Sequence, residues 1–309
     1  MKTCFLFPGQ GAQFPGMSKD LHEYSAAVRE LFQTASDVCG IDVKHLLFEA
    51  DEAHLNRTDL TQIAMAVADT AAAIVCHEHG IDPDGVAGFS LGEFPALHAA
   101  GVLDTEDYLR LVKRRGELME KHSRSSDDSS GAAGMIAVLG LGREAAQPVL
   151  EELADFGAFL ANHSSPAQLV IAGTGAGLAR AEEAFSSAGA RRVIRLKVSG
   201  PFHSPLLEEA RLEFESELGR VVFRDPKLPV YANVTGTRIQ SGSEAQTLCA
   251  QQIVSTVEWV AEEEAIRGDG YERMLETGPG TVLCGLWKSF NRGEPACVPA
   301  GTTEAIQAL

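Results

Sequence analysis

The chain has 309 residues, 45% hydrophobic and 22% charged. That make-up supports a full globular core and rules out a disordered, collagen-like or disulfide-stapled chain. With 26 basic against 43 acidic residues the formal net charge is −17. Phosphate backbones demand clustered Lys and Arg, so nucleic acid is disfavoured as a partner. The first apolar run, Cys4 to Phe7, stops at Pro8-Gly9, too short for an export signal. The alanine-rich stretch Ala64 to Cys76 is broken by Asp69 and Thr70, short of the roughly 18 apolar residues that a span needs. No membrane is expected, and the expected setting is a cytoplasmic monomer. Six cysteines are scattered without C-x-x-C spacing and read as free thiols in a reducing compartment. Only His77-x-His79 resembles ligand spacing, so no metal is expected.

In chain order, Thr3–Phe7 reads as a buried strand running into the glycine loop Pro8-Gly9-Gln10-Gly11. Apolar residues recur at helical spacing from Met17 to Val38, and Thr61 to Cys76 predicts a helix apolar nearly all round. A short strand over 84–88 leads straight into a helix from Leu91 to Ala100. Strands alternating with helices predict an α/β fold with a parallel sheet. The polar run 121–131 reads as a linker. Beyond it come strand 135–141, helix 143–156, strands 159–162 and 168–172, helix 176–188 and strand 191–198. That order, βαββαβ, is ferredoxin-like. The expected organisation is a large α/β domain, residues 1–126 and 199–309, interrupted by a small subdomain at 127–198. The large domain should resume with strands near 228–232 and 273–276 and a last helix after Gly301. Gly173-Thr174-Gly175-Ala176-Gly177 lacks the third glycine of a dinucleotide loop, because position 178 is Leu, and reads as a turn. Glu262-Glu263-Glu264, on a helix from about Thr256, reads as a solvated face.

Gly88-Phe89-Ser90-Leu91-Gly92 is a G-x-S-x-G string. The string alone is weak, but a strand enters it and a helix leaves it, as a nucleophile elbow requires. The bland alternative is a serine N-cap. A serine nucleophile needs a base, and His203 lies on a glycine–proline turn after an apolar strand, where α/β folds place catalytic groups. His163 also follows a strand and stays open as the alternative. His77, His79, His98 and His122 fall on helices and read as packing or surface residues.

Six motifs in order carry a resemblance over nearly the whole chain: Phe7-Pro8-Gly9-Gln10-Gly11-Ala12-Gln13, Gly88–Phe94, Lys113–Met119, Gly200-Pro201-Phe202-His203-Ser204, Gln252 through Val257-Glu258-Trp259, and Glu276-Thr277-Gly278-Pro279-Gly280. The chain resembles the malonyl-CoA:acyl carrier protein transacylases of fatty-acid and polyketide synthesis, whose fold has an α/β-hydrolase-like core. The resemblance implies transfer of a malonyl group from malonyl-CoA to the phosphopantetheine thiol of an acyl carrier protein, by a ping-pong reaction without cofactor. Ser90 matches the nucleophile and His203 its base. Arg115 matches the residue that pairs with the malonyl carboxylate; on its own it reads as a solvated helix residue. Gln10 and Leu91 match the N–H donors of the oxyanion hole, Gln62 falls among the substrate-binding positions, and Gln252 belongs to the segment that orients the histidine, through a main-chain carbonyl. Phe202 matches the version that crowds an α-methyl group, which implies malonyl over methylmalonyl.

The chain departs from the pattern at Phe89, where the family often has His, at Ser255-Thr256 in place of Asn-Pro, and at Ile63 in place of Pro. The carrier is itself acidic in this family, so local cations must steer it, and Lys113/Arg114, Arg191/Arg192 and Lys288/Arg292 are the candidates. Three other readings stay open: a trans-acting acyltransferase of a polyketide synthase, a serine esterase or thioesterase, and an idle carrier-binding scaffold.

Overall fold

The computed structural model describes residues 1–309. Its strands are β1 (Thr3–Phe7), β2 (Gly85–Gly88), β3 (Gly134–Leu139), β4 (Ala158–Ser165), β5 (Gln168–Gly173), β6 (Arg192–Arg195), β7 (Arg273–Glu276) and β8 (Cys297–Pro299). β1 is buried along its whole length and pairs in parallel with β2 and β7, giving the order β2-β1-β7-β8. Such a strand, apolar from Cys4 to Phe7, is expected where a parallel sheet is covered on both faces. The separate antiparallel sheet has the order β4-β5-β3-β6. Its elements follow one another as β3, helix Arg143–Ala154, β4, β5, helix Gly175–Ser187, β6, the expected βαββαβ order. Its apolar cluster, with Ile136, Leu150, Leu169 and Phe185, is distinct from the main one. The two parts are stitched at β4, where His163 N–H donates to the Val257 carbonyl and Val257 N–H to the Ala161 carbonyl.

Four expectations are corrected. No strand forms over 228–232: a single parallel bridge joins Val230 to Val86, because Pro229 has no N–H for a ladder and a turn follows at 233–236. The helix expected over 17–38 is two, Lys19–Tyr24 and Ala26–Cys39, since Ser25 is extended and caps the second by accepting from Val28 N–H. The apolar helix is longer than expected, Thr58–Glu78, and is long and apolar enough to cross a membrane, yet 78% of its apolar stretch is buried inside the fold. Glu262 and Glu263 are fully buried. They occupy the i+3 and i+4 positions of the stripe running from Trp259 to Ile266 on the helix Trp259–Gly268, so they face the core.

Candidate active site

Parallel strands carry their binding groups at their carboxyl ends, and here the loops after β1 and β2 meet. A Cβ on Gly92 would collide with the Phe7 carbonyl and one on Gly88 with the Gly92 carbonyl, so both positions need glycine for the turn to close against β1. The turn starts with one 3-10 turn, Ser90–Gly92, before the helix Glu93–Ala99. Ser90 has φ 55° and His203 φ 56°, a left-handed conformation that costs free energy in a residue with a Cβ. Asn233 holds the strained serine, its Oδ1 accepting from Ser90 N–H at 2.7 Å while its Nδ2 donates to the Gly88 carbonyl at 2.7 Å.

His203 Nε2 lies 2.7 Å from Ser90 Oγ, and His203 Nδ1 lies 2.8 Å from the Gln252 carbonyl oxygen. A carbonyl only accepts, so Nδ1 carries the proton and Nε2 is the free acceptor for the serine hydroxyl. Burial first, and then the Arg115 charge, push the imidazole down to about 3, which keeps it a neutral base. His163 does not reach the serine: its Nδ1 lies 3.8 Å from the Glu258 carboxylate.

Arg115 is fully buried. Its Nη1 donates to Gln62 Oε1 at 2.7 Å, its Nη2 to Gln252 Oε1 at 2.8 Å, and Nη2 stands 3.5 Å from Ser90 Oγ. Nε is buried without a partner, and no carboxylate comes within ion-pair distance. Burial lowers the guanidinium to about 10, the nearby Glu93 opposing, and it stays charged at neutral pH. Neutral amide oxygens orient this cation without neutralising it. Leu91 and Gln10 have main-chain N–H groups with no acceptor in the chain. Gln10 lines a groove of about 470 Å³ with Phe89, Gln168, Leu196, Lys197 and Val282. On the other side, His203 opens onto a cleft of about 590 Å³ with Arg143, Phe159, Leu160, Val254 and Ser255. Phe202, 5% exposed, is packed into the main core. A third cavity, about 420 Å³ between Phe5, Ile74, Pro95 and His98, includes none of these reactive groups.

Sequence reasoning thus named Ser90, His203, Arg115, Gln62 and Gln252, which the fold brings together. It missed Asn233, Glu93 and Glu262. The signal for Asn233 was a polar residue closing the apolar run Val230-Tyr231-Ala232, and for Glu262 its place in the Trp259–Ile266 stripe.

Residues 4–292 match the family model described as an acyl transferase domain. The chain belongs to that family. It is an acyltransferase, and it is 36% identical over 293 residues to the malonyl CoA-acyl carrier protein transacylase of Bacillus subtilis (strain 168), covering 94% of this chain and 91% of that one. The structure of the corresponding transacylase of Coxiella burnetii superposes with a TM-score of 0.94 at 31% identity, covering 100% and 96% of the two chains. A malonyl-transacylase solved in complex with a type II polyketide-synthase acyl carrier protein is 34% identical, TM-score 0.93, with 100% and 98% covered.

Proposed function

We propose that this acyltransferase moves a malonyl group from malonyl-CoA to the phosphopantetheine thiol of an acyl carrier protein through an ester on Ser90. The observation that carries the reading is Arg115, a fully buried cation without a carboxylate, 3.5 Å from the serine oxygen. A planar guanidinium pairs well with a carboxylate, and an acetyl group would leave it uncompensated. The names of the relatives support the same substrate and carrier.

His203 Nε2 takes the Ser90 proton as Oγ attacks the thioester carbon, and the N–H groups of Gln10 and Leu91 receive the oxyanion. Collapse breaks the C–S bond, and the departing thiolate collects the proton from His203. In the second half the carrier thiol gives its proton to His203 and attacks the ester, and Ser90 Oγ leaves with that proton. A thioester is already activated, so the reading needs no cofactor. Gln62 and Gln252 hold Arg115, and Phe202, directly before His203, crowds an α-methyl group, so malonyl-CoA should load faster than methylmalonyl-CoA. Lys113 and Arg114 are engaged by Glu117, Glu213 and Glu217. The unpaired Arg191/Arg192 and Lys288/Arg292 are the better candidates for meeting an acidic carrier.

A second reading, service to a polyketide synthase, is favoured by the likeness to the polyketide carrier complex. It shares every residue above and differs only in the carrier. A hydrolase of the Ser-His-acid type fits less well, because a main-chain carbonyl stands where its acidic partner would be. The test is intact-protein mass after brief exposure to malonyl-, acetyl- or methylmalonyl-CoA, with Ser90→Ala as control. A malonyl adduct that requires Ser90 and leaves on addition of the carrier is the expected result. Steady release of free CoA without an adduct would overturn it.

A further inference from the structure

Arg115 depends on which end of the Gln252 amide it meets, and oxygen and nitrogen are close in size. The choice is made underneath. Gln252 Nε2 donates to Glu93 Oε2 at 2.6 Å and to the Ser90 carbonyl at 3.0 Å, which turns Oε1 toward the guanidinium. Glu93 is itself fully buried, and its Oε2 also accepts from Asn233 N–H at 3.1 Å. Asn233 Nδ2 donates in turn to Glu262 Oε1 at 2.9 Å. Glu93 Oε1 and Glu262 Oε2 are both buried without a partner.

We propose that Glu93 is a positioning residue that sets acyl selectivity: it locks the Gln252 amide with its oxygen toward Arg115, and its own negative charge, when present, competes with an acyl carboxylate for the guanidinium. This rests on the malonyl reading above. Burial raises the Glu93 carboxyl to about 7, against the lowering by Gln252, the Asn233 N–H and Arg115. The groups that face it are Arg115 from the helix Thr105–His122, Cys249 from the helix Gly242–Gln252 and Glu262 from the helix Trp259–Gly268. The Cys249 thiol and the Glu262 carboxyl are both pushed well above their usual ranges by burial, with Glu93 adding to each shift.

The sign follows. Below pH 7 a neutral Glu93 still accepts from Gln252 through its carbonyl oxygen, and the whole charge of Arg115 is available. Above pH 7 the carboxylate opposes a second anion, so the preference for malonyl over acetyl falls as pH rises, whereas acetyl carries no charge to oppose. In Glu93→Gln the amide oxygen keeps the same acceptor role at every pH without the charge. In Glu93→Ala the shortest of these bonds is lost, and the Gln252 amide keeps only the longer ones to the Ser90 carbonyl at 3.0 Å and Asn233 Oδ1 at 3.3 Å.

The experiment compares initial rates of Ser90 acylation from malonyl-CoA and acetyl-CoA, from about pH 5.5 to 8.5, in the full-length chain and both variants; the ratio of the two rates cancels the titration of His203. The wild-type ratio should fall about ten-fold around pH 7, the Glu93→Gln ratio should stay at the low-pH value, and Glu93→Ala should lose about ten-fold in malonyl loading with acetyl loading kept. A flat wild-type ratio overturns the proposal, as does an unchanged inflection in Glu93→Gln or an equal loss of both substrates in Glu93→Ala. If Glu93→Ala does not fold, the Glu93→Gln profile decides alone. A wild type that forms no Ser90 adduct from either thioester is a different result, which sinks the transfer reading itself.

Discussion

Arg114 and Arg115 are consecutive residues of the helix Thr105–His122, yet they meet opposite surroundings. Arg114 is 38% exposed and reaches Glu117, Glu213 and Glu217, while Arg115 is fully buried, donates its short hydrogen bonds to amide oxygens, stands further from the Ser90 hydroxyl and lies over the Phe94 ring. The first is a surface network in which water and salt share the work. The second is a cation hydrogen-bonded to neutral amide oxygens with no carboxylate paired to it, an arrangement suited to receiving an anion. The same contrast runs through the carboxylates. Partly exposed Glu213 is held below its usual range by hydrogen bonds from Lys121 and His122, whereas burial pushes Asp69 well above it, helped by Glu276.

The largest effect should come from Arg115→Gln, which removes the buried charge. Malonyl loading of Ser90 should weaken by about 2–5 kcal/mol in transition-state binding, with acetyl loading far less affected. Equal losses for both thioesters would make Arg115 a structural residue like any other. Next comes Gln252→Leu, which takes away one amide oxygen but leaves the main-chain carbonyl that orients His203. A charge-assisted hydrogen bond of this kind contributes about 1.5–3 kcal/mol, so malonyl kcat/KM should fall and acetyl kcat/KM hold. A collapse of acetyl transfer as well would mean that the histidine had moved.

Asp69→Asn sharpens the comparison through pH. Both Asp69 oxygens are buried and unpartnered, and its folded pKa lies above the unfolded one. The native state therefore keeps a proton that the unfolded chain releases, and stability falls as pH rises from about 4 toward the folded value. Asparagine removes that dependence, so Tm should rise at pH 8 relative to wild type and change little at pH 4; an identical shift at both would point to packing instead. The smallest effect belongs to Arg114→Ala, within about 1 kcal/mol of wild type in thermal unfolding and smaller still at high salt. A larger loss would erase the distinction between the two arginines.

Much of this molecule is legible without coordinates. The buried run Thr3–Phe7, the strand-to-helix passage through Ser90 and the βαββαβ order of the small sheet each follow from local periodicity and turn residues. What was misread has a common cause. Glu262-Glu263-Glu264 looks like a solvated run because three acids in a row ordinarily are, and only its register against Trp259 and Ile266 turns two of them inward. Asn233 closes a segment that makes one bridge to the sheet rather than a strand, so no periodicity marks it as the clamp on Ser90.

The amino-acid sequence by itself determined the elements and the reactive residue types: a serine on a glycine turn, a histidine after a strand, an arginine on a helix. Those depend on steric limits and hydrophobic spacing that act within a few residues. Only the tertiary structure decided which histidine meets the serine, which of two adjacent arginines is left without a carboxylate, and which end of the Gln252 amide faces it. Ser90, Arg115, His203, Asn233 and Gln252 are separated by up to 162 residues along the chain. Their geometry and charge are set by burial and by hydrogen bonds across that distance, which no local pattern encodes.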